Sequence, residues 1–114
     1  MEFEFTLFKP RKARHPKSDE PLVAVRPNGR IVFNKQASQL LDCHNYCMLG
    51  YDPDNQALGI LPLENLETNA FPIRYATKGA YIGAKKFFRH FGILPEQLVE
   101  NPPFKQGQFI GLKM

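Results

Sequence analysis

Arg26 to Leu41 reads RPNGRIVFNKQASQLL, and this stretch decides the fold. Pro27-Asn28-Gly29 is a turn with a mechanism. Proline presets its own φ, asparagine tolerates a bridge or left-handed conformation, and glycine takes positive φ freely. Ile31-Val32-Phe33 follows as a β-branched and aromatic run, and Leu22 to Val25 precedes the turn as another. Leu22 to Phe33 therefore reads as a β-hairpin. Asn34 is placed as an N-cap, its side-chain oxygen able to take a free amide of the first turn. Ala37, Leu40 and Leu41 stand at i, i+3 and i+4, one helical face, while Gln36, Ser38 and Gln39 face water. A helix of about two turns depends on packing for its stability.

The same plan recurs in Ile73 to Phe91, IRYATKGAYIGAKKFFRHF. Phe71, Ile73 and Tyr75 alternate as in a strand, and Pro72 places that strand at an edge or bulge. Thr77-Lys78-Gly79 supplies a turn and Ala80-Tyr81-Ile82 returns. From Ala84 the period changes, and Ala84, Phe87, Phe88 and Phe91 form a helical stripe. Gly92 follows as a C-terminal cap, with Ile93 able to pack back on the last turn. With Gly29 set against Gly79, Ile31-Val32 falls on Tyr81-Ile82, Lys35 on Lys85 and Leu41 on Phe91. Leu58-Gly59-Ile60 falls on Ile110-Gly111-Leu112 if two residues are inserted. A unit of about forty residues buries too little surface alone, so two are expected to pack face to face.

Working outward, Glu2 to Phe8 alternates like a half-buried strand, with Phe3, Phe5 and Leu7 on one side. Lys9 to Pro21 loses periodicity and holds three of the ten prolines, as an exposed arm would. Tyr46 to Tyr51 and Ala57 to Leu61 read as strands around an Asp52-to-Gln56 turn. Pro95-Glu96-Gln97 opens a further short helix, and Phe104 to Leu112 closes the domain as strand. The expected organisation is an N-terminal strand and basic arm over 1–21, a first β-α-β half over 22–63, a polar linker over 64–69 and a second half over 70–114. The expected fold class is α+β, with two related β-rich halves packed as one small barrel-like domain.

Composition narrows the function classes. The chain has 114 residues, 43% hydrophobic and 23% charged, which suits one folded domain. No apolar run approaches the roughly 18 residues of a membrane span, so no membrane partner is expected. Met1-Glu2-Phe3-Glu4 begins acidic and no apolar run follows a basic one, so no signal peptide is expected. Two cysteines make no disulfide framework, and a reducing cytoplasm is the default compartment.

The net charge of +4 is unevenly placed. Lys9, Arg11, Lys12, Arg14 and Lys17 fall in one acid-free window. Arg74, Lys78, Lys85, Lys86 and Arg89 fall in another, from Thr68 to Pro95. Such islands draw anions, nucleic acid and lipid head groups among them.

The order hairpin, Gly-Arg-Ile, strand, short helix, hairpin resembles the swapped-hairpin AbrB-like and MraZ-like DNA-binding proteins. Gly29-Arg30-Ile31-Val32-Phe33-Asn34-Lys35 follows their motif, with Asn34 where that family usually has proline. Gly79-Ala80-Tyr81-Ile82-Gly83-Ala84-Lys85 is a second copy without the arginine, and the Gly-Asp pair expected after the helix is missing from both. The resemblance implies double-stranded DNA as partner, and one chain doing what AbrB-like dimers do with two.

The candidate nucleic-acid-binding residues are Arg26, Arg30, Arg74, Lys78, Lys85, Lys86 and Arg89, with Lys9, Arg11, Lys12 and Arg14 of the arm. Lysine and arginine on a rigid hairpin or helix can neutralise phosphates, and β-ribbons can enter the major groove. The alternative is a protein-interaction or assembly module, including a homodimer formed through edge strands or exchanged hairpins. Cys43, His44 and Cys47 offer too few ligands for structural zinc, and a buried thiol is the plainer account. There is no Gly-rich phosphate loop, and Asp52 and Asp54 sit where turns use aspartate locally. No catalytic residue, metal, cofactor or small-molecule substrate is expected.

Overall fold

A computed structural model of the chain describes residues 20–114. The strand and basic arm expected upstream, including Lys9, Arg11, Lys12 and Arg14, lie outside the described residues.

Alternation builds the first hairpin. Val23 and Val25 of β1 (Val23–Val25) and Ile31 and Phe33 of β2 (Arg30–Asn34) are buried, with Val23 opposite Phe33 and Val25 opposite Ile31. Asn34 caps α1 (Lys35–Ser38), its Oδ1 accepting the Ala37 N–H at 2.8 Å. A 3-10 turn over Gln39–Leu41 completes this helical stretch and buries Leu41. β3 (Tyr46–Asp52) and β4 (Ala57–Leu63) form the next hairpin, whose turn Asp52 holds by accepting the Asp54 N–H at 3.1 Å. Then come β5 (Phe71–Pro72), β6 (Arg74–Ala76) and β7 (Gly79–Gly83), followed by α2 (Lys85–Phe91). β8 (Val99–Asn101), β9 (Phe104–Gln106) and β10 (Phe109–Lys113) close the chain.

The fold is α+β: among the described residues, two antiparallel five-stranded sheets with two short helices. One sheet runs β6-β7-β2-β1-β8 and the other β5-β3-β4-β10-β9. Their inner faces share one core, joining Val25, Phe33 and Ile82 of the first to Leu58, Ile60 and Leu112 of the second. Phe87 and Phe88 of α2 enter the same cluster. In both halves the order hairpin, helix, hairpin occurs, and the halves meet strand to strand. Val32 lies opposite Tyr81 where β2 meets β7, and Gly59 opposite Gly111 where β4 meets β10.

Four expectations change. The sheets do not close into a barrel. The chain passes between the sheets through α1, at Ile73 and at Pro102-Pro103; at the last two a proline (Pro72, then Pro102-Pro103) has no N–H to carry a ladder round the corner. The strand expected through Phe71, Ile73 and Tyr75 is therefore two strands, with Ile73 buried between them and its N–H donating to the Asn45 carbonyl at 2.8 Å. Phe104 to Leu112 is a hairpin, turning at Gly107, where φ is 64°. The helix expected at Pro95 is absent; Leu98 is 57% exposed, so the segment buries no face to offset helix nucleation.

The match of Gly29 to Gly79 also shifts. The first hairpin turns through Pro27, Asn28 and Gly29, but the second only through Thr77 and Lys78, since Ala76 pairs with Gly79. Ile31 therefore corresponds to Ala80, not to Tyr81. A slip of one residue would turn the core face of a strand to solvent. Ile31, Ala80 and Ile82 all point inward, while Tyr81 does not.

Candidate nucleic-acid interface

The site is built on the first turn. The Gly29 N–H donates to the Arg26 carbonyl at 2.8 Å, and the Arg26 N–H to the Arg30 carbonyl at 3.0 Å. The Asn28 side-chain oxygen accepts the Arg30 N–H at 3.0 Å, the local bond that suits asparagine to turns. Gly29 takes φ 85°, and its carbonyl accepts the Ala84 N–H at 2.9 Å. The turn of one half is thereby seated on the start of the other half's helix.

This seating gathers cations separated by more than fifty positions. Asn28, Arg30, Lys85 and Lys86 border one concavity of about 330 Å³, completed by Phe71, Gly83 and Ala84. Among the described residues no carboxylate lines it. The Arg30 guanidinium carbon lies 4.3 Å from the Tyr81 ring centroid. That stacking is worth about 0.5–1 kcal/mol at an exposed site and aims the arginine along the sheet's outer face. Arg74 lies opposite Tyr81 on the next strand and is exposed, as is Arg26 beside the turn.

On α2, Lys85, Lys86 and Arg89 are all exposed, and Arg89 stands four positions from Lys85 and three from Lys86, so they share a face. The opposite side is fixed by aromatic packing. Phe87 meets Phe88 edge-on at 5.4 Å and Phe71 at 6.4 Å. Phe91, placed in the buried stripe by its spacing, is 43% exposed, although its ring lies 5.6 Å from that of Tyr51.

The structure thus groups Arg30, Lys85 and Lys86, and sets Arg26, Arg74 and Arg89 around them. Lys78 lies apart, in the turn at the far end of β7. Sequence reasoning missed one participant. Tyr81 is the platform under Arg30, and its signal was an aromatic on an outward strand position. Lys35, exposed at the start of α1, lies at the other end of β2, outside this group.

Two other concavities differ in chemistry. One of about 320 Å³ lies over Gly50, Gly59 and Gly111 on the outer face of the second sheet, beside the half-exposed rings of Phe104 and Phe109. The other, of about 270 Å³, is lined by Asp42, Cys43, His44, Asn45 and Glu64. Cys43 is exposed, whereas Cys47 is buried, which pushes its thiol up to about 12. Tyr75 donates its hydroxyl hydrogen to the His44 carbonyl, and burial raises the pKa of that phenol. Among the described residues no group of three or more His, Cys, Asp or Glu is placed to hold a metal, and no helix is long and apolar enough to cross a membrane.

No protein-family model matches this chain, and no curated protein or solved structure matches it either.

Proposed function

We propose that this protein binds double-stranded DNA through the outer face of its first sheet and the basic face of α2, and acts as a regulator by occupancy rather than by catalysis. The observation that carries the reading is the concavity shared by Arg30, Lys85 and Lys86, with no acid among the described residues of its lining. Rigid, exposed cations around one hollow suit a phosphate backbone, and Arg30 held on Tyr81 suits a polar base edge or a phosphate. The likeness of Gly29 to Lys35 to the swapped-hairpin DNA-binding proteins points the same way. Changing Lys85, Lys86 and Arg89 together to Glu is expected to abolish retention of duplex DNA while leaving thermal unfolding nearly unchanged. Wild-type binding should weaken with salt by roughly 0.9 log unit per phosphate contact for each log unit of salt. Salt-independent retention, or none at low salt, would reject the reading.

A second reading is an assembly module. It is favoured by edge strands β6 and β9, exposed along their length, and by Phe104 and Phe109 at 42% and 46% exposure on the second sheet. It predicts a stable oligomer by light scattering, with an ultraviolet absorbance ratio showing no co-purified nucleic acid.

A further inference from the structure

The β2·β7 pair carries positive charge at both ends, not only at the concavity. The register sets Arg30 opposite Gly83 at one end and Asn34 opposite Gly79 at the other. Directly after Asn34 comes Lys35, the first residue of α1, and directly before Gly79 comes Lys78, in the β6–β7 turn; both are exposed. Beyond Arg30 and Gly83 the Ala84 N–H donates to the Gly29 carbonyl at 2.9 Å, and Asn28 borders the same concavity as Lys85 and Lys86. Side chains alone supply this charge. From Arg30 to Asn34 is four strand steps, about 14 Å at roughly 3.4 Å per residue, and Lys35 follows at the helix start. Between the two ends the outer face shows Val32 and Tyr81, with Arg30 lying over Tyr81. Of the acids near this face, Glu100 is off the ribbon, reached from Val32 across Ala24, and Glu20 stands at the Lys35 end, its backbone carbonyl accepting from the Asn34 side chain at 2.8 Å.

We infer that the β2·β7 ribbon lies across a duplex groove, with Arg30, Lys85 and Lys86 on one phosphate row and Lys35 and Lys78 on the other. This rests on the nucleic-acid reading above and specifies its ligand as a duplex with two phosphate rows. The major groove is about 12 Å wide, so cations at the two ends of a strand about 14 Å long reach the phosphates on its two lips. The minor groove, about 6 Å wide, is too narrow for this span. A single strand offers only one row and leaves one end of the ribbon without a partner.

The test uses the full chain and fluorescence anisotropy with a labelled DNA duplex of about 20 base pairs and a single strand of the same length, read over a salt series. Wild type is expected to prefer the duplex. K35E/K78E is expected to weaken duplex binding about tenfold or more, with a salt slope shallower by about two contacts' worth, as K85E/K86E does from the other end. The charge-neutral pair Lys35→Gln and Lys78→Gln should show a smaller loss in the same direction, which guards against a folding defect in the glutamate variant. Equal wild-type affinity for single strand and duplex, or K35E/K78E and its glutamine counterpart both binding like wild type while K85E/K86E does not, overturns the two-row placement and leaves the DNA reading standing. No binding of either probe by wild type overturns both.

Discussion

Gly29 lies against the backbone of Lys85. A Cβ on Gly29 would fall 2.6 Å from the Lys85 Cβ and 2.9 Å from its nitrogen, closer than such atoms approach. The contact joins the turn that presents Arg30 to the helix that presents Lys85 and Lys86, so the site's geometry rests on a missing side chain. Gly29→Ala combines strain at φ 85° with that collision and should cost about 2–4 kcal/mol in chemical denaturation. Gly50→Ala meets nothing within 4 Å and should stay within about 1 kcal/mol of wild type.

Asn34 performs three bonds with one side chain. Its Oδ1 accepts the N–H groups of Ala37 at 2.8 Å and Leu22 at 3.1 Å, and its Nδ2 donates to the Glu20 carbonyl at 2.8 Å. It therefore ties the entry of β1 to the start of α1. Asn34→Ala should lower stability by about 1–3 kcal/mol, while Asn34→Asp, which keeps the acceptor and loses the donor, should lose less.

Tyr81 acts on the site through Arg30. Tyr81→Leu keeps an apolar strand residue and removes the stacking, so the fold should melt near the wild-type temperature. Duplex affinity should fall by about two- to fivefold, in keeping with about 0.5–1 kcal/mol. Arg30→Ala should cost more, and in its absence Tyr81→Leu should have no further effect.

The two thiols should separate cleanly. In the native protein an alkylating reagent is expected to modify Cys43 rapidly and Cys47 only on unfolding, because Cys47 is buried and held as the neutral thiol. The folded Cys47 pKa, pushed up to about 12, lies above that of an unfolded cysteine. The folded state then holds the proton while the unfolded chain releases it, so stability falls as pH rises from the unfolded value toward the folded one. Melting temperatures taken between neutral and strongly alkaline pH should show this decline, and Cys47→Ala, though less stable at neutral pH, should lack that part of it.

Asp52 carries the opposite sign. Its side-chain bond with Asn55, 2.8 Å long, and the Asn55 and Asp54 amides lower its pKa. Its contribution is present above the unfolded pKa and lost as pH falls through the folded one. Asp52→Asn should flatten the acid limb of the stability profile.

The hairpin through Gly29, the N-cap at Asn34 and the helix from Lys85 were legible because each is set by local chemistry: turn residues, a capping side chain and a change of period. The sheet change at Ile73 was not, since Phe71, Ile73 and Tyr75 alternate as one strand would. Nor was the hairpin within Phe104 to Leu112, where Gly107 was the available sign. Of the site, the charged residue types were visible, but the pairing of Arg30 with Lys85 and the platform at Tyr81 were not.

The chain's own order of residues fixed which segments pair locally and which faces are apolar, because both follow from neighbours within a few positions. Only the tertiary structure decided that β2 meets β7 and β4 meets β10, that two sheets stack without closing, and that Gly29 sits on Lys85. Those choices depend on long-range burial and strand register. A single residue fewer in the second turn moved Tyr81 from the core face to the surface, where it carries Arg30.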